Sequence, residues 1–103
     1  MKVQLNTDKN VQADESLVNH AQEALETALG RFGDQILRVE VHVSDVNGGK
    51  SGDNDKHCTM EARVENRPPV VASHDADTVR AAVTGAARKL QRVLDSSFGK
   101  LGA

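Results

Sequence analysis

The sequence predicts an α+β domain of order β-α-β-β-β-α: a four-stranded mixed sheet with two helices packed on one face. Three observations carry this. Polarity alternates with period two in runs near the start and in the middle of the chain. Two longer stretches repeat apolar residues at helical spacing, and polar or glycine-bearing segments separate these runs.

The first run, Lys2-Val3-Gln4-Leu5-Asn6, reads as a half-buried strand. Asp14 stands three residues before Leu17 and is placed to cap a helix reaching about Leu29. Leu17, Val18, Ala21, Ala24, Leu25, Ala28 and Leu29 form its apolar stripe, and Gly30 and Gly33 punctuate its end. From Ile36 the period returns to two, with Leu37, Val39, Val41 and Val43 on one side and Arg38, Glu40, His42 and Ser44 on the other. After the polar loop 45–56, Cys58, Met60, Ala62 and Val64 alternate with polar residues, so the two runs read as a long antiparallel hairpin. Pro68-Pro69 breaks the pattern, and Val70 to Ser73 forms a short fourth strand. Asp75 or Asp77 then caps a helix from about Ala76 to Phe98, with Val79, Ala82, Val83, Ala86, Leu90, Val93 and Leu94 on one arc. One polar sheet face and two amphipathic helices put both helices on the same side, and the first crossover makes strands one and two parallel if they are neighbours.

The chain has 103 residues, of which 38% are apolar, enough for one thin two-layer core, so residues 1–103 are expected to form a single domain. With no Trp or Tyr and only Phe32 and Phe98, recognition of bases by aromatic stacking has almost nothing to work with. The net charge of −2 is unevenly spread: the final 28 residues carry five basic and two acidic side chains. A single cysteine, Cys58, excludes an internal disulfide, and no run is apolar enough for a signal or membrane segment, so the default expectation is a cytoplasmic protein with no membrane partner.

Catalytic and ligand-binding motifs fail on spacing. Gly49-Lys50-Ser51 lacks the glycine that a phosphate loop requires at position 44, which is Ser44, and it joins two strands rather than opening a helix. Asp45, Asn47, Asp53 and Asp55 do not match a calcium loop and read as a solvated turn. His42 and His57 are diagonal neighbours without a third metal ligand, and Cys58 belongs to the apolar set of its strand. No enzyme activity, cofactor, metal or small-molecule substrate is expected. On the last helix, Arg80, Arg88, Lys89 and Arg92, followed by Lys100, form a row of cations able to track a phosphate backbone.

The element order and this last helix together resemble the ribosome hibernation-promoting factors, also called ribosome-associated inhibitor or sigma-54 modulation proteins, in their short form. The likeness spans about residues 2–101. It rests on the turn and helix from His74 to Val83, on the strand Arg38 to Ser44, and on the family's Lys-Leu-x-Arg-x-Leu run, matched by Lys89, Leu90, Arg92 and Leu94. The resemblance implies a monomeric, non-enzymatic stress factor that binds the small ribosomal subunit and its 16S ribosomal RNA and inhibits translation. It makes Lys89 and Arg92, with Arg88 beside them, the RNA-facing residues; Arg80, Lys100 and Arg31 are added from the charge pattern. No second C-terminal domain is expected to pair ribosomes. The acidic first helix, with Glu23 and Glu26, and the acidic loop motivate an alternative: a protein-binding regulatory module of the same fold that no longer binds the ribosome. A continuous positive strip from Arg31 to the last helix would favour RNA, and an interrupted strip would favour the alternative.

Overall fold

The computed structural model describes residues 1–46 and 55–102, with side chains from residue 99 onward outside the description. Strands β1 (Lys2–Thr7), β2 (Ile36–Asp45), β3 (Lys56–Val64) and β4 (Val70–Ala76) form one sheet in the order β1-β2-β3-β4. β1 and β2 are parallel, joined by helix α1 (Glu15–Leu29) and a 3-10 segment (Gly30–Gln35); the other two pairs are antiparallel. Helix α2 (Val79–Gly102) returns across β3 and β4 and packs beside α1. The predicted order and mixed sheet are the observed ones.

Period two decides what the sheet buries. Val39, Val41, Val43, Cys58, Met60, Ala62, Val64, Ala72 and Ala76 face the helices, where they meet Leu17, Ala21, Leu25, Ala28 and Leu29 of α1 and Ala82, Val83, Ala86, Ala87, Leu90 and Leu94 of α2. The other sheet face keeps Arg38, Glu40, His42, Glu61 and Arg63 against solvent. Asp14 caps α1, its carboxylate accepting the Leu17 N–H at 2.8 Å.

Several local expectations are corrected. Leu37 does not join the buried set; it is 55% exposed while Ile36 is buried, because the pairing of β2 with β3 slips between Ile36 and Arg38. Such a bulge reverses side-chain parity at one point. Gly30 is not a left-handed cap: it stays right-handed, and the positive φ of +59° falls at Gly33, where the 3-10 segment kinks towards β2. β4 runs on to Ala76, so Asp75 lies on a strand opposite His57 rather than capping α2. The cap comes from Thr78, whose hydroxyl accepts the Ala81 N–H at 3.1 Å. Val18 and Val93, assigned to apolar stripes, are exposed. For Val93 the reason is its place at the edge of the apolar arc, since Leu90 and Leu94 on either side of it are buried.

The ends of the 45–56 loop are not a solvated turn. Asp45 and Asp55 are both buried, and Lys56 Nζ reaches Asp55 Oδ1 at 2.8 Å and Asp45 Oδ2 at 3.5 Å. The hydrogen bond to Asp55, reinforced by the charge of Asp45, raises the Lys56 pKa above its ordinary value against an opposing effect of burial. Asn47, Gly49, Lys50, Ser51 and Asp53, the residues of the rejected phosphate and calcium motifs, lie outside the described residues.

The seat of α2 on β4 depends on a residue without a side chain. His74 points inward from β4 and its ring occupies the space beside Gly85, so that a Cβ at position 85 would lie 2.1 Å from His74 Cδ2. Gly85→Ala should therefore lower stability by roughly 1–3 kcal/mol through overpacking, against a helix-propensity gain of about 1 kcal/mol. In a His74→Ala background the same substitution should become neutral or stabilising, as chemical denaturation of the four proteins would measure.

Cys58 is fully buried, and desolvation pushes its thiol pKa up to about 12. The unfolded chain releases this proton near the ordinary thiol value of 9.0 and the folded chain retains it. Stability should thus fall as pH rises above 9.0, by at most about 1.4 kcal/mol per pH unit. Cys58→Ala should remove that component of the alkaline slope, and the native thiol should resist alkylation until the chain unfolds.

Candidate nucleic-acid interface

The core of α2 fixes what its outer surface shows. Leu90 is fully buried, and at roughly 100° per residue the positions two before and two after it stand nearly opposite. Those positions are Arg88 and Arg92, one helical turn apart and both exposed. Lys89, also exposed, lies on the flank facing β4, the side on which Gly85 meets His74 one turn earlier. Among the described residues no ion pair joins Arg88, Lys89 or Arg92 to a carboxylate. Three neighbouring cations are thereby left with their charge open to solvent, the arrangement that attracts a phosphate backbone.

The remaining sequence-predicted cations are placed less simply. Arg80 sits in the first turn of α2 and approaches Ser16 Oγ of α1 at 3.4 Å, beside Glu15 and Glu23. Arg31 is paired with Asp95 of α2 and lies over the Phe32 ring at 5.2 Å, so its charge is largely neutralised. The side chain of Lys100 falls outside the described residues. A positive strip from Arg31 to α2 is therefore interrupted at Asp95.

A shallow groove of about 320 Å³ separates the helices, floored by Ala24, Ala28 and Ala87 and edged by Glu23 on one side and Arg88 on the other. His20 helps to hold it, with Nε2 3.1 Å from the Arg80 carbonyl and 3.0 Å from Thr84 Oγ1. Acidic α1 thus borders basic α2 directly.

Strand directions sort charge along the molecule as well. Asp8, Asp14, Asp45, Asp55, Asp75 and Asp77 collect where β1, β2 and β4 end and both helices begin. Lys2, Arg31, Arg38, Arg63, Arg67 and Arg92 collect towards the opposite end together with Asp34, Glu65 and Asp95, while Lys9, Lys56 and Arg80 stand among the aspartates. The net charge of −2 conceals this polarity.

The sheet's open face carries one arrangement with a chemical look. His57 Nδ1 is bonded to Asp75, and its Nε2 is 2.9 Å from Thr59 Oγ1. This is the connectivity of a hydroxyl–imidazole–carboxylate relay, but Thr59 lies mid-strand between β2 and β4, where backbone N–H groups serve the sheet rather than a developing oxyanion. It acts as a polar clamp across two strands. His42 and His57 are diagonal, as expected from the hairpin, and among the described residues no three metal-ligating side chains come together.

Reasoning from sequence passed over Arg67. Its guanidinium lies 3.8 Å from the centroid of Phe98, and Phe98 in turn stacks on Phe32 with centroids 5.0 Å apart. Only the scarcity of aromatic residues could have marked these two rings as a pair.

The likeness to known proteins is consistent along the chain. Residues 6–101 match the sequence profile of the sigma 54 modulation protein / S30EA ribosomal protein family. A ribosomal subunit interface protein from Coxiella burnetii shares the fold with a TM-score of 0.79 at 15% identity, over 96% of this chain and 99% of its own. The N-terminal domain of Protein Y from Thermus thermophilus does so with a TM-score of 0.75 at 16% identity, over 93% and 98%. No curated protein sequence gives a significant match. Matched over nearly its whole length, and built on the same β-α-β-β-β-α frame, the chain belongs to the sigma 54 modulation protein / S30EA ribosomal protein family, a ribosome-associated family rather than a family of enzymes.

Proposed function

We propose that this chain is a cytoplasmic, monomeric, single-domain factor that binds the small ribosomal subunit and inhibits translation in idle ribosomes. The contact runs through the outer surface of α2 to the backbone of 16S ribosomal RNA. The observation that carries this reading is the cluster of Arg88, Lys89 and Arg92, exposed and without carboxylate partners among the described residues, on a helix whose sequence follows the family pattern. Folded RNA offers its phosphates and shape to such a surface, so charge and fit, rather than base sequence, set the affinity. Lys100 extends the contact along the helix, whereas Arg80, beside Glu15 and Glu23 in the first turn, and Arg31, paired with Asp95, add little open charge to it. The acidic pole orients the molecule, being repelled by RNA while the basic end approaches.

A second reading keeps the fold and replaces the ribosome by a protein. Glu23 on the rim of the groove beside Arg88, and the Arg31–Asp95 pair, favour it because both interrupt a continuous positive strip. Recovery of one protein free of ribosomal RNA in a pull-down would support this reading against the first.

Co-sedimentation with 30S subunits across a salt series separates the two. Binding should weaken linearly in logarithmic coordinates as salt rises, and each phosphate-contacting cation removed from Arg88, Lys89 or Arg92 should reduce the slope by about 0.7–1. Reversal of all three to Glu should abolish binding without changing the thermal unfolding midpoint by more than a few degrees. Absence of binding at low salt, or full binding by the triple variant, would refute the proposal.

A further inference from the structure

We infer that Arg67, seated on Phe98, forms a stacking site for one unpaired nucleobase at the basic end of the domain. The inference rests on the RNA-binding reading above and adds to it a second contact, of a different chemical kind, that charge patterning does not reveal.

The chain's two aromatic rings come from distant segments, Phe32 from the 3-10 helix and Phe98 from the last turns of α2. They stack at 5.0 Å with an interplanar angle of 24°. Against Phe98 lies the Arg67 guanidinium at 3.8 Å. Both rings are only half-buried, so they form a layer at the boundary of the core rather than within it. A guanidinium lying on a ring presents a second flat face, and bases stack on arginine planes as they do on aromatic ones.

Arg67 is also held in place. It follows Asn66, whose φ of +61° reverses the chain, and precedes Pro68-Pro69, which restrict the backbone beyond it. Its N–H donates to the Val64 carbonyl at 3.3 Å, and the neighbouring Glu65 N–H donates to the Gln35 carbonyl at 2.9 Å. Its Nη1 donates to Ser97 Oγ at 3.4 Å. Little ordering therefore remains to be done when a ligand arrives.

Charge separates Arg67 from its counterpart across the stack. Arg31 lies near Phe32 but is paired with Asp95, whereas among the described residues no carboxylate pairs with Arg67. Arg67 therefore keeps its positive charge for the phosphate attached to the stacked base. Phe98 stands about 9 Å beyond Arg92 along α2 and roughly 120° around it, so the Arg67 stack lies on a neighbouring side of the helix end from the proposed backbone contact.

The test compares binding of a labelled single-stranded RNA with that of the same strand made abasic, at several salt concentrations. Wild type should prefer the strand with bases by roughly tenfold. Arg67→Lys keeps the charge and loses the planar face; it should lose that preference while retaining the salt dependence. Phe98→Leu keeps an apolar contact and should reduce the preference in the same direction, with thermal unfolding confirming that both variants fold. Equal binding of the two strands by wild type, or an unchanged preference in Arg67→Lys, would overturn the stacking site and leave the α2 reading standing. Failure of wild type to bind either strand at low salt would overturn the stacking site, while sedimentation with 30S subunits decides the α2 reading separately. An Arg88, Lys89 and Arg92 to Glu variant should lose both strands together, which identifies the backbone contribution.

Discussion

The close seat of α2 on β3 and β4 is the contact on which the rest of the domain depends. Small residues make it possible: Ala82, Ala86 and Gly85 on the helix approach Ala62, Ala72 and Ala76 on the strands, while Leu90 and Leu94 fill the space beyond. Close packing has little tolerance for added atoms, so the helix has one rotation about its axis that buries its apolar arc. That rotation turns Arg88 and Arg92 outward. The cationic ridge is in this sense a product of the core, and a change that rolls the helix would move the charges as well as loosen the packing.

The same frame explains why a chain with net charge −2 can still present a basic surface. The strands and helices all run along one axis, so residues near the start of β2 and the end of α2 share an end of the molecule. Most aspartates gather at the other end, and the half-buried Lys56 with the buried Asp45 and Asp55 anchors the hairpin there. The fold separates charges that the linear sequence interleaves. Such a separation favours orientation over long-range attraction, because a dipolar body turns in the field of an RNA surface even where its net charge is repelled.

Much of this was legible in the residues. Alternation in β1, β2 and β3, the Asp14 cap, and the opposed arcs of α2 each follow from local chemistry, and the structure agrees with them except at Leu37 and Val93. What was not legible depends on pairing between segments. The bulge that exposes Leu37 arises from register between β2 and β3, which periodicity within one strand does not contain. β4 extends to Ala76 because β3 offers Cys58, His57 and Lys56 as partners, overriding the capping preference of Asp75. In the site, the exposure of Arg88, Lys89 and Arg92 could be read from the helix alone. The pairing of Arg31 with Asp95 and the stacking of Arg67 on Phe98 join residues far apart in sequence, and only the fold brings them together.

The central claim is that the outer surface of α2, rather than the open face of the sheet, meets ribosomal RNA. Site-specific photo-cross-linking to 30S subunits tests it most directly, with the reactive group placed at Ser96 on the exposed side of α2 or at Ser73 on the exposed face of β4. The account predicts cross-links to 16S ribosomal RNA from position 96 and few or none from position 73. Cross-links from position 73 alone, or from position 96 to protein only, would contradict it.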